Sequence, residues 1–339
     1  MTPTVPVPGV QPWRAMLAEY AAFHREAVSC GDNDPVYPVW DRLRVRLGWD
    51  TETYLWACLV YVAYYHLGSA LRVLEHHPRP TVPRAELLAL PCATERRGHR
   101  DPTKLKAHLA GVVDAANTHG GLLAWLQSGG CAPDMDRWNN TDTRAAERTR
   151  LYRAAFNHFQ TLRGNGRWAA YKLCDLLGST LIPPLTPSDM GHAHSTGPRE
   201  GLALLRAGLP TGNRTADIAE LDAISGELCA YLAALEQDGP AVPASVAETT
   251  LCDFHALHGG RYYVGNDIDQ MQAQLVRVLS ALTDEAFLSR LDTLPVAYLG
   301  ELSGWDRPDP DRRSHYRRTG EIIVRARGGA DAVAPLPAP

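Results

Sequence analysis

The chain has 339 residues, a formal net charge of −4 and a pI of about 6.3; that excludes a protein basic overall, though not one with a local basic groove. Hydrophobic residues make up 45% and charged residues 21%, the balance of a soluble globular chain with a large core. Seven cysteines occur without any C-x-x-C pair, which points to reduced thiols in a cytoplasmic protein and away from a disulfide frame.

Residues 1–11 are rich in proline and carry neither the basic nor the apolar region of a signal peptide, so they read as a disordered tail. Helical spacing then dominates. It predicts helices over Trp13–Val28, Trp40–Leu47 and Glu52–Leu74. The third contains the uncharged run Thr53–Leu71. Tyr54, Tyr61, Tyr64, Tyr65, His66 and Ser69 interrupt its apolar character, and it reads as a central buried helix, not a membrane span. Further helices are predicted over Pro102–Ala116, Leu122–Gln127, Thr143–Leu162, Arg167–Leu177 and Arg199–Ala207. One amphipathic stripe follows through Ile218, Leu221, Ile224, Leu228, Leu232 and Leu235. Another runs through Ile268, Met271, Leu275, Leu279 and Leu282, capped by Asn266 or Asp267. Only "EIIVRAR" at Glu321 suggests a period of two, and 311–339 reads as a basic, then Pro/Ala-rich tail. The expected class is all-α, with residues 12–310 forming one catalytic unit of two packed lobes.

The chain contains no G-x-x-x-x-G-K-[ST], no G-x-G-x-x-G after a strand, no G-x-S-x-G and no H-E-x-x-H. These absences weigh against P-loop, Rossmann, α/β-hydrolase and zincin chemistry. What remains is the stretch "RGNGRWAAYKLCDLLG", Arg163–Gly178, where a tight glycine turn joins two helical segments. Gly164 and Gly166 can adopt positive φ without steric cost. The first amides of the second helix have no intrahelical partner, so Gly164, Asn165, Gly166 and Arg167 form a candidate phosphate cradle. A plain interhelical turn is an equal reading. The loop "LIPPLTPSDMGHAHSTGPREG" follows, with Asp189 within it; a loop of that length is functional or disordered.

Four further groups are candidates for chemistry. Arg96, Arg97, Arg100 and Lys104 form a basic group in "ERRGHRDPTKLK", with Arg167, Lys172 and Arg199 elsewhere; they are either phosphate contacts or a solvated face. Trp168, Tyr171, Tyr262 and Tyr263 are candidates to stack on an extruded base, or else core residues. In "CDFHALHGGRYYVGNDIDQ", Asp253, His255, His258, Arg261, Tyr263, Asn266, Asp267 and Asp269 crowd together. Arg261 suits a carboxylate and the acids an ammonium; a metal set D-x-H-x-x-H and plain helix capping are the other readings. The set formed by Asp189, His192 and His194 has weak metal spacing.

Residues 147–205 resemble the helix-hairpin-helix DNA glycosylases, with "LRGNG" in place of their usual hairpin and Asp189 where their catalytic aspartate falls. A broader resemblance runs from Trp13 to Leu282. The stretches "EYAAFHREAVSCGDNDPVYPVWDRL", "YLWACLVYVAYYHLGSALRVL", "ERRGHRDPTKL", "NGRWAAYKLCDLL" and "LCDFHALHGGRYYVGNDID" are similar to the phage amino acid:DNA transferases, also called α-glutamyl/putrescinyl thymine pyrophosphorylases. The resemblance implies an all-α, glycosylase-like fold. It also implies transfer of an amino acid or polyamine amine onto the exocyclic methylene of (pyro)phosphorylated hydroxymethyluracil in double-stranded phage DNA.

Under it, Asp189, Lys172 and Asp253 are the candidate catalytic residues. Gly164, Asn165, Gly166, Arg167, Arg96, Arg97, Arg100, Lys104 and Arg199 would hold DNA or the leaving phosphate. Asp34, Tyr37, Trp168, Tyr171, Arg261, Tyr263, Asp267 and Asp269 would line the base or amine pocket. No cofactor is required, apart from magnesium that can accompany the leaving pyrophosphate. The implied partners are a hydroxymethyluracil DNA kinase, the activated DNA and a free amine, met in the host cytoplasm, with no membrane. A base-excising glycosylase-like enzyme and a non-catalytic phage DNA-binding protein are the alternatives.

Overall fold

An apolar run without a polar face must be enclosed on every side to be stable as a helix, and the segment after Asp50 is such a run. A computed structural model of the chain describes residues 13–285 except 14, 82–83, 90–92, 97–98, 179–180, 182, 236–241, 280–281 and 284, together with 322–325 and 331–334. The proline-rich residues 1–11, Arg97 and most of the tail 311–339 lie outside the described residues.

The helices, in chain order, are α1 (Met16–Cys30), α2 (Val36–Leu47), α3 (Thr51–Tyr64), α4 (Leu67–His76), α5 (Arg84–Ala89), α6 (Pro102–His119) and α7 (Leu122–Leu126). They continue as α8 (Met135–Asn139), α9 (Thr141–Phe159), α10 (Arg167–Gly178), α11 (Gly197–Leu205), α12 (Thr215–Leu235), α13 (Ala244–His258) and α14 (Asn266–Leu279). A short antiparallel ribbon pairs β1 (Ile322–Arg325) with β2 (Asp331–Ala334), Ile323 facing Val333. The chain is all-α apart from that ribbon, and its first strand falls in the period-two stretch.

The chain divides into two compact units. The larger comprises Asp34–Ser188 and Asn266–Pro308. Its centre is α3, where every residue from Thr53 to Tyr64 is buried. Asp50 starts this helix by accepting the Thr53 amide at 2.8 Å. Trp40, Tyr54, Trp56, Tyr64 and Phe159 are the largest fully buried side chains of this core.

The predicted helix Glu52–Leu74 is interrupted. Tyr65 takes φ 49°, ψ 41° and ends α3, and the His66 Nδ1 accepts the Ser69 amide at 3.1 Å to start α4. A left-handed tyrosine costs backbone energy, of the order of 1–3 kcal/mol, and such positions cluster at functional sites. No helix of the described residues is long and apolar enough to cross a membrane.

The smaller unit comprises Met1–Asn33, Asp189–Gly265 and Asp309–Pro339. Its core joins Tyr20 and Phe23 of α1 to Leu202 and Leu205 of α11, Leu221 and Leu228 of α12, and Leu251 and Phe254 of α13. The Tyr20 and Phe254 rings meet edge-on at 5.3 Å. Tyr20 and His24 both reach Thr250 Oγ1, each at 2.9 Å, so the buried polar atoms of α1 find partners on α13. The described cysteines are all free thiols. Burial pushes Cys30 up to about 12 and Cys131 and Cys229 up to about 11, so they are inert at neutral pH.

Candidate functional site

The glycine turn between α9 and α10 lies in the larger unit. Gly164 adopts φ +88°, the left-handed region glycine favours. The turn is pinned from beneath. His108, buried and lowered to about 3 by that burial, is a neutral ring whose Nδ1 donates to Arg163 O at 2.6 Å. Arg96 donates to Gly164 O at 2.5 Å, to Asn165 Oδ1 at 3.2 Å and to Val62 O at 3.3 Å. Asn165 itself turns inward: its amide donates to Leu162 O at 3.0 Å, and its Nδ2 to Phe159 O at 3.1 Å, covering the last carbonyl of α9. A trans peptide sets N–H opposite C=O. With Arg163 O held inward, the Gly164 N–H faces away from the core. Gly164, Gly166 and Arg167 are exposed, and the Cβ position of Gly166 is open space.

This placement divides the basic group. Arg96 is buried, 7% exposed, and serves as a brace under the turn. Burial lowers its pKa to about 10, so it keeps its charge at neutral pH just behind the exposed amides. Arg100 and Lys104 are exposed, the second on the first turn of α6. Asn165 belongs with Arg96: its side chain is a brace facing the protein. The sequence showed the basic residues as one run; their distances to backbone carbonyls, not the run, separate them.

On α10, Trp168 is 38% exposed. Its ring meets Tyr65 edge-on at 4.9 Å, and the Arg96 guanidinium lies 5.8 Å from its centroid. Tyr171 and Lys172 are buried. Lys172 Nζ lies 3.2 Å from Asp34 Oδ2 and 3.8 Å from Asp175 Oδ2. Asp34 is, with Tyr65, one of two non-glycine residues of positive φ among the described residues. Both line one pocket of about 120 Å3, along with Tyr61, Glu95, Asp267, Gln270 and Gln274. For scale, an apolar cavity of about 150 Å3 holds a benzene ring. Burial raises the phenols of Tyr37, Tyr61 and Tyr65, the Asp34 carboxylate adds to the rise, and Lys172 opposes it. All three stay neutral. The Tyr37 hydroxyl is buried and finds no hydrogen-bond partner among the described residues. Asp269 on α14 is buried.

Other candidates fall in the smaller unit. Asp189 Oδ1 accepts the Gly191 amide at 2.8 Å in an Asx turn. Arg199 reaches Gly212 O at 3.1 Å and Asn213 Oδ1 at 2.7 Å, while its buried Nε has no partner among the described residues. Asp253 is half-buried on α13, Tyr263 is buried and Arg261 is exposed. His255 and His258 pair with Glu200 at 3.4 Å and Glu19 at 3.1 Å. Among the described residues no three His, Cys, Asp or Glu side chains converge as a metal cage. Asp32, 0% exposed, accepts Tyr262 OH and the Gly265 amide, each at 2.6 Å, and so fixes the turn that leads out of α13.

Sequence reasoning missed Tyr61, Tyr65, Glu95, His99, His108 and Asp175. Two signals were available for the tyrosines: they are hydroxyls inside an uncharged run, and hydroxyls in such a place need a reason. The histidines carried no local signal.

The family model described as amino acid:DNA transferase matches residues 54–262 of the chain. No curated protein and no solved structure matches it. The match covers more than half of the sequence, and the chain belongs to the amino acid:DNA transferase family: it is a transferase, and the reaction carries an amino acid onto DNA.

Proposed function

We propose that the chain replaces an activated hydroxyl on a thymine-like base. The acceptor is double-stranded DNA whose hydroxymethyluracil carries a phosphate or pyrophosphate ester, supplied by a DNA kinase in the infected host cytoplasm. The amine of an amino acid or polyamine attacks the exocyclic methylene. The C–N bond forms, the C–O bond breaks, and the electron pair leaves with the (pyro)phosphate. Magnesium can accompany that leaving group, with no resident cofactor needed.

The observation that carries this reading is the outward-facing Gly164–Gly166 turn backed by Arg96, with Trp168 and Lys172 following on α10 and Lys172 paired with Asp34. The turn offers amides, and the positive end of α10, to a DNA phosphate, as a glycosylase-like helix-hairpin-helix does. Arg167, Arg100 and Lys104 add exposed cations for the strand or the leaving group. Trp168, 38% exposed, is the ring proposed to stack on a base taken out of the helix, a step that costs a few kcal/mol. The pocket beside it presents Asp34, Glu95 and Asp267 to an ammonium. Arg261, Asp253, Tyr263, Arg199 and Asp189 belong to the smaller unit and stay separate candidates for the donor's carboxylate or for proton transfer.

The test is to incubate the chain with hydroxymethyluracil DNA, kinase-treated or untreated, and a panel of amino acids and polyamines, then to analyse the nucleosides by mass. Substituted thymidine from the treated DNA alone supports the reading. Abasic sites would favour base excision, and unchanged DNA under all conditions a binding protein.

A further inference from the structure

The cavity of about 120 Å3 is built wholly within the larger unit. Asp34, Glu95 and Asp267 line it, and no Lys, Arg or His does. Lys172, which pairs with Asp34 at 3.2 Å, offsets one of the three charges. Beside the third stands a second feature. Asn266, 6% exposed, donates its Nδ2 to Asp267 Oδ1 at 3.0 Å, while its own Oδ1 is buried and has no partner among the described residues. A buried acceptor left over next to a carboxylate calls for a donor.

The missing group is an N–H cation. Among the described residues no three acidic, His or Cys side chains converge as a metal cage. An ammonium, by contrast, offers three donors and no acceptor, and can serve a carboxylate and an amide oxygen together. Size narrows the choice again. The cavity is smaller than the apolar one of about 150 Å3 that holds benzene, so it suits the end of an alkyl chain and not a pyrimidine.

That ammonium is not the one that reacts. Carboxylates around an amine favour its charged form, and a protonated amine has no electron pair with which to attack. We propose that the donor amino acid carries a second ammonium on its side chain, and that this pocket holds it while the α-amine reacts. The proposal rests on the transfer reading above. An α-amino group is less basic than a side-chain ammonium, about 8 against about 10.4 in peptides. The α-ammonium therefore gives its proton to solvent more readily. The resulting α-amine forms the C–N bond as the (pyro)phosphate leaves with the C–O electrons, and the side-chain ammonium keeps its proton throughout.

The experiment uses the full chain and two donor pairs that differ only in the terminal ammonium: ornithine against norvaline, and lysine against norleucine. With kinase-activated hydroxymethyluracil DNA, kcat/KM should be at least about tenfold higher for the dibasic member. Asp267→Asn and Glu95→Gln should each narrow that ratio, chiefly by raising KM for the dibasic donor. Glu95 lies outside any helix, so its substitution disturbs no helix end, and melting curves show that both variants fold. Without DNA, ligand-observed NMR should detect n-butylammonium on the wild type and not on the doubly substituted chain. Equal kcat/KM within each pair, or a ratio that neither substitution changes, overturns the proposal. So does a DNA-free chain that does not bind n-butylammonium. Binding of n-butylammonium that the double substitution abolishes, with no transfer from any donor, would mean that the transfer reading fails and the donor role with it, while the cation site stands.

Discussion

Lys172 Nζ lies 3.2 Å from Asp34 Oδ2, a residue 138 positions earlier, and the two side chains are only 8% and 10% exposed. A buried charge pair stabilises little by itself, but removing one partner strands the other. Lys172→Met should cost about 3–5 kcal/mol in urea unfolding, since the carboxylates of Asp34 and Asp175 lose a shared cation. Asp34→Asn together with Lys172→Met should recover much of that loss. A single Lys172→Met of wild-type stability would show that the pair is not what holds α10 to the start of α2.

Arg96 donates to two carbonyl-type oxygens of the turn. Hydrogen bonds from a charged donor contribute about 1.5–3 kcal/mol. Arg96→Ala should destabilise by that order and weaken DNA binding as well, because the turn loses its brace. Arg96→Lys cannot reproduce the planar fork and should fall between the two. Thermal unfolding and fluorescence anisotropy with a short duplex read the two effects separately.

The two glycines should respond differently. A Cβ on Gly164 would lie 2.8 Å from His99 Nε2 at φ +88°, so Gly164→Ala should lose more than about 1 kcal/mol of stability. Gly166 has open space at its Cβ position, and Gly166→Ala should leave the melting temperature close to wild type. If the turn grips a DNA phosphate, the same substitution should still weaken DNA binding, since the methyl group stands where that phosphate approaches. Binding by the wild type should fall steeply with salt, with a log–log slope set by the phosphates contacted.

The spacing of apolar residues was enough to read the all-α class and the amphipathic helix α12, and the R-G-N-G run the glycine turn. Each is encoded within a few neighbours. The break at Tyr65 was not legible, because nothing local in "VAYYHLGS" forbids a helix; the break shows only in a left-handed Tyr65. Asp34 and Lys172 could be named as candidates but not as partners, since their meeting depends on how α2 and α10 pack. The buried side of α12 around Asp222 and Ser225 was invisible for the opposite reason. Periodicity assigns any residue off the apolar stripe to solvent, and only the fold brings His192 to Ser225 Oγ.

Acid should unfold the protein in a predictable window. His24 and His192 are lowered to about 4 and His108 to about 3, all chiefly by burial. Their unfolded pKa is about 6.5. The stability they carry is complete above that value and is lost as pH falls from 6.5 toward 4. Each histidine contributes about 1.4 kcal/mol per pH unit in that window. Asp222, raised to about 6, acts the other way: its contribution is complete below about 4 and lost as pH rises through 6. Urea midpoints at pH 7, 6 and 5 should therefore fall, with His108→Gln reducing the slope. A midpoint independent of pH would mean these rings are not buried neutral.

The central claim is that the base stays on its sugar while its substituent is exchanged for an amine. The direct measurement is mass analysis of nucleosides after reaction of nitrogen-15-labelled donor with kinase-activated hydroxymethyluracil DNA. The expected product is a thymidine-like nucleoside carrying the label, formed with release of one (pyro)phosphate per substitution. Labelled product absent while abasic sites accumulate would contradict it.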